Sequence, residues 1–208
     1  MMLSKIESDL SLLCEKAKTL GADDAVVSPV SAIVVDPRAN LKCQVPICPN
    51  YRNNLMCPPY VMTASDFQEI LLIYKFAILI RGKVTISEEI IEAANKENSI
   101  GDLYKNHLHS FKPTWSKLNE FNEIISKVEA AAFNMGYRFA AGFSGGSCKL
   151  CDECVVKQSS VICRHPLKAR PSMEAVGIDV FKTAEQTGII DNTSIRDTII
   201  VYGLVLVD

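Results

Sequence analysis

The 208-residue chain contains no apolar run near the roughly 20 residues that a membrane-spanning helix needs. It has no excess of one charge sign. With a formal net charge of -2, nothing in its electrostatics calls for nucleic acid or a membrane surface as partner. The opening stretch MMLSKIESDLSLLCEKAKTL lacks the unbroken apolar core of a secretion signal, because acids and lysines interrupt it throughout. There is no internal repeat and no linker composition, so one domain over residues 1–208 is expected. Together these absences predict a cytoplasmic protein.

Cysteine, by contrast, is abundant: the chain has eight. In a reducing cytosol a dense cysteine pattern points to metal binding or catalysis rather than to disulfides. A chain of this length can also build its own core without a disulfide scaffold.

Helices and strands alternate along the chain. Leu3, Ile6, Leu10, Leu13, Ala17 and Leu20 step by three and four, the mark of an amphipathic helix ended by Gly21. DDAVVSPVSAIVVD reads as extended chain, and Pro29 makes it an edge strand or two short strands. Residues 36–63 hold five of the nine prolines and show no period, so a long functional loop is expected. Ser65 with Gln68 suggests a capping box for the next helix, and FAILIRG a buried strand. A helix is expected over Ser87–Lys96, while 97–112 fits no period. A strong stripe from Leu118 to Met135 predicts a long helix capped near Thr114 and closed by Gly136. YRFAAGF and TIIVYGLVLV read as strands, and Pro171 and Ser172 as the start of a helix to about Thr187. The fold class is therefore α/β or α+β: a mixed sheet of about four to five strands flanked by helices, with two cysteine-bearing loops.

The later loop, GGSCKLCDECVVKQSSVICRHP, places Cys148, Cys151 and Cys154 at intervals of three, with Cys163 following. Two residues between successive cysteines let a loop curl around a cubane and present three thiolates to three irons. A later cysteine then supplies the fourth. Zinc is the rival, but its sites usually come as two separated pairs, and three evenly spaced cysteines suit one tetrahedral ion less well. Gly145, Gly146 and Ser147 leave the backbone free to aim N–H groups at sulfur. The earlier loop, CQVPICPNYRNNLMCPPY, supplies Cys43, Cys48 and Cys57. Three thiolates would hold a second centre with one position open for chemistry, or a site completed by His107 or His109. The competing reading is three thiols packed among prolines. Cys14, beside the first helical stripe, reads as a buried free thiol.

The segments CQVPICPNYRNNLMCPP, GGSCKLCDEC, CRHP and RPSMEAVGIDV resemble a family of predicted metal-binding proteins, domain of unknown function 2284. The resemblance spans nearly the whole chain. It implies metal binding of the iron–sulfur kind and implies no reaction. One departure is Ile47, where the family pattern has glycine before Cys48.

Arg164, His165, Lys168 and Arg170 follow the last cysteine. They offset thiolate charge, or, as Arg164, Lys168 and Arg170 with Ser172 at a helix start, they form an anion site. The leading expectation is a [4Fe–4S] protein of electron transfer or cluster-based redox chemistry, with a second cluster on the early cysteines and a redox protein or an anionic small molecule as partner. The alternatives are a structural zinc protein whose basic segment binds a partner, or an enzyme using an open cluster site on an anionic small molecule.

Overall fold

Ser4 and Glu7 close a capping box at the first helix, α1 (Lys5–Thr19), and its apolar stripe buries Leu10, Leu13, Cys14 and Ala17. The computed structural model describes residues 4–45, 48–97, 102–103, 106–107, 109–158, 162–191 and 197–208. Ile47 and much of the aperiodic stretch 97–112 lie outside them.

Four strands form one sheet in the order β1-β2-β4-β3. They are β1 (Asp24–Pro29), β2 (Phe76–Thr85), β3 (Ala141–Phe143) and β4 (Thr198–Val207). All three pairings are antiparallel, and β2 and β4 match over their full length, from Phe76↔Val207 to Thr85↔Thr198. The fold is thus α+β, and its ladders are antiparallel rather than mixed. Helices between successive strands do not force parallel pairing here, because each connection is long enough to return the chain in either sense. Pro29 sits at the end of an edge strand, as expected from its missing donor.

Strand periodicity splits the core in two. On one face Ile78, Ile80, Val205 and Val207 pack against α1 and the long helix that follows. On the other, Leu79, Leu204 and Leu206 meet Phe67, Met173 and Ile178.

Several local expectations are corrected. The segment after Asp36 opens as a helix, α2 (Pro37–Gln44), because the Asp36 carboxylate accepts from the Arg38 N–H and Pro37 sits at the first turn. The capping box of α3 (Ala64–Leu71) is Thr63 with Asp66, two residues before the expected pair. After α4 (Glu88–Lys96), α5 starts earlier than expected, at Lys112, and runs to Asn134. Thr114 is not its cap; it is buried in the first turn with its hydroxyl unpartnered. Strand β3 is shorter than YRFAAGF, since residues 137–140 turn, with the Ala140 N–H donating to the Tyr137 carbonyl.

The expected helix from Ser172 to Thr187 is two pieces. A 3-10 turn, Glu174–Val176, stops at Gly177, whose φ is +88°. The chain then pairs Ile178 with Val35 before Asp179 caps α6 (Val180–Thr187). A Cβ on Gly177 would lie 2.5 Å from that of Ala64, so the glycine meets both a positive φ and a close approach.

Candidate metal centre

The later cysteine loop leaves the sheet at Ser144 and returns at Ser172. Its base is pinned by the Ser144 N–H donating to the Pro171 carbonyl at 2.8 Å and the Met173 N–H donating to the Ser144 carbonyl at 3.1 Å. One polar stripe of α5 grips the loop at several points. Asn122 Oδ1 accepts from the Gly145 N–H at 3.1 Å, Asn119 Nδ2 donates to the Lys149 carbonyl at 2.9 Å, and Ser126 Oγ donates to the Lys168 carbonyl at 3.1 Å. Glu129 pairs with Arg170. Sequence reading missed these four residues, although their spacing of three and four on the face beside the apolar stripe was a visible signal.

The early loop begins on α2. Asp36 caps that helix and also takes Arg38, whose guanidinium and amide hold the Asp36 carboxyl down to about 2. Cys43 lies near the helix end, and the Cys48 N–H donates to the Cys43 carbonyl at 3.0 Å. Cys57 is 7% exposed. Burial pushes its thiol up to about 12, and the neighbouring thiols of Cys48, Cys43 and Cys148 act in the same direction. Cys43 is likewise raised, by burial first and then by Cys48. Cys43, Cys48 and Cys57 thus form one electrostatic neighbourhood.

The two loops meet. Asn54, buried at 6% exposure, donates from Nδ2 to the Cys148 carbonyl at 2.8 Å, and the Leu55 N–H points at Cys154 Sγ at 3.4 Å. Lys149 Nζ donates to Asn50 Oδ1 at 3.2 Å. Between them opens a cleft of about 410 Å³, whose walls include Cys148, Cys151, Cys154 and Cys163 with Asn54 and Trp115.

The donor set fits a thiolate-bound metal. All seven loop cysteines are free. Backbone N–H groups point at three of the four later sulfurs: Leu150 at Cys148, Leu55 at Cys154, and His165 at Cys163 at 3.3 Å. Such donors stabilise the negative charge on a metal-bound thiolate. Burial raises the Cys148 thiol and the charges of Cys163, Cys151 and Cys154 raise it further, a repulsion that a cation would relieve. Among the described residues, no three His, Cys, Asp or Glu side chains form a group that could hold a single ion. The later thiols ring the cleft without closing on one point.

The other candidates are placed as follows. His109 lines the cleft, whereas His107 Nε2 lies 3.1 Å from Glu97 Oε1. Arg164 donates to the Glu153 carbonyl and Gln158, Lys168 pairs with Glu123, and Arg170 with Glu129. Ser172 is buried, and its hydroxyl accepts from the Ala175 N–H. These four residues point to different partners, and no helix of useful length starts at Ser172 to lend a dipole. Cys14 is buried in α1, away from both loops, and burial pushes its thiol up to about 11.

No curated protein and no solved structure is significantly similar to the chain. Residues 27–207 match the family model for the predicted metal-binding protein DUF2284, so this chain, with its two cysteine loops joined across one cleft, belongs to that family.

Proposed function

We propose that this is a cytoplasmic iron–sulfur protein in which Cys148, Cys151, Cys154 and Cys163 hold a [4Fe–4S] cluster for electron transfer or cluster-based redox chemistry. Cys43, Cys48 and Cys57 hold a second centre beside it. The observation that carries the reading is the meeting of the two loops, through Asn54 on the Cys148 carbonyl and the Leu55 N–H on Cys154. It sets the early thiols next to a cleft ringed by the later ones.

When bound, a [4Fe–4S] cluster supplies a one-electron redox centre whose potential follows hydrogen bonding to sulfur, net charge and solvent exposure. The chain provides for each of these. Its N–H donors withdraw charge from Cys148, Cys154 and Cys163, and Lys149 adds a cation between the loops. The cleft gives a redox protein or an anionic small molecule access, with Lys112, His109 and Arg164 among its lining residues.

The test is oxygen-free purification followed by iron, acid-labile sulfide and zinc analysis with electron paramagnetic spectra. Iron and sulfide in equal amounts and a reducible paramagnetic signal are expected. Stoichiometric zinc without sulfide would overturn the reading in favour of a structural zinc site.

A further inference from the structure

Lys149 belongs to the later loop but reaches into the earlier one. Its backbone is held from behind, where Asn119 Nδ2 donates to its carbonyl. Its ammonium lies 4.7 Å above the Trp115 ring, a cation–π contact, and donates to Asn50 Oδ1. The Asn50 amide in turn donates from Nδ2 to Cys48 Sγ at 3.8 Å. A continuous path therefore runs from α5 through the later loop to an early-loop sulfur. The same cation lies within electrostatic reach of Cys57, Cys48 and Cys148.

We propose that Lys149 is a positioning residue that registers the two thiol groups against each other, so that ordering the later loop around its metal also orders Asn50, Cys48 and Cys57 for theirs. The inference rests on the reading that both thiol groups hold metal, but its mechanical part does not depend on which metal. A lysine is suited to this role. Its long stem spans the gap, and its point charge serves sulfurs on both sides without a fixed fork geometry. A fully hydrated lysine with no structural task would instead be expected to leave the Trp115 face for solvent.

The experiment uses the full chain as purified, in whatever metal state it holds. Hydrogen exchange by mass spectrometry compares wild type with Lys149→Met, Lys149→Arg, Asn50→Leu and the Lys149→Met/Asn50→Leu double variant. Exchange over residues 48–57 should rise about tenfold in Lys149→Met and in Asn50→Leu, the loss expected for one hydrogen bond to a charged group. The double variant should rise no further than either single, and Lys149→Arg, which keeps the charge but imposes a fork geometry, should recover only part of the protection. Metal content per chain should fall in Lys149→Met while the metal on the later cysteines is retained. Unchanged exchange over 48–57, or effects that simply add in the double variant, would overturn the inference. Absence of iron and sulfide from wild type would overturn the iron–sulfur reading alone, since the exchange comparison still decides the bridge.

Discussion

Cys14 and the seven loop thiols are chemically alike in sequence, and their surroundings separate them. Cys14 is packed against the sheet by α1, so burial lets the folded chain keep its proton up to about 11, above the ordinary thiol value of 9.0. A thiol whose folded pKa is raised contributes stability that is fully present below its unfolded pKa and is lost as pH rises through the folded one. The urea midpoint of wild type should therefore fall between pH 9 and 11. Cys14→Ala should flatten that part of the profile while leaving metal content unchanged. An identical alkaline profile in the variant would show that Cys14 is not the titrating group. Asp36 illustrates the opposite sign. Its carboxyl is depressed, so its contribution to capping α2 is present above the ordinary carboxylate range and lost only as pH falls toward 2.

The element that matters most for the site is α5, a 23-residue helix with two different faces. Phe121, Ile125 and Val128 seat it on the sheet, and the approach is so close that a Cβ on Gly203 would lie 2.4 Å from Ile125 Cδ1. Asn119, Asn122, Ser126 and Glu129 face the cysteine loop instead. The helix thus carries the rigidity of the core to a loop that has little regular structure of its own. Asn119→Ala with Asn122→Ala should leave the fold intact but speed metal release to a chelator by roughly 10-fold or more, the usual effect of losing partners around the ligands. A release rate equal to wild type would show that the loop does not depend on α5.

At the scale of the whole molecule, both apolar cores lie on the sheet, whereas the cleft sits beyond it, between the loops. A metal held at that cleft would therefore be separable from the fold, unlike in small zinc modules that unfold without their ion. Metal removal by chelation should leave a cooperative thermal transition and near-wild-type helix and strand signals in circular dichroism. Loss of hydrogen-exchange protection should concentrate in 48–57 and 145–170. Global unfolding on chelation would instead make the metal part of the core.

Much of this protein was legible in residue order alone. The stripes of α1 and α5, the apolar runs of β2 and β4, the edge proline and the cysteine spacings all report contacts between near neighbours, where side-chain type and period act directly. Tertiary structure decided the rest, because those features depend on partners far away in the chain. Gly177 breaking a helix is an example: its carbonyl accepts from the Asp36 N–H, and it must fit against Ala64. So is the meeting of the loops, where Asn54 reaches Cys148 across 94 positions and Lys149 reaches Asn50 across 99. Composition and spacing determined that seven thiols were gathered in two loops. Only the tertiary structure, which ties α2 to the 3-10 turn through Asn40 and grips the later loop with α5, decided that the two groups would stand together.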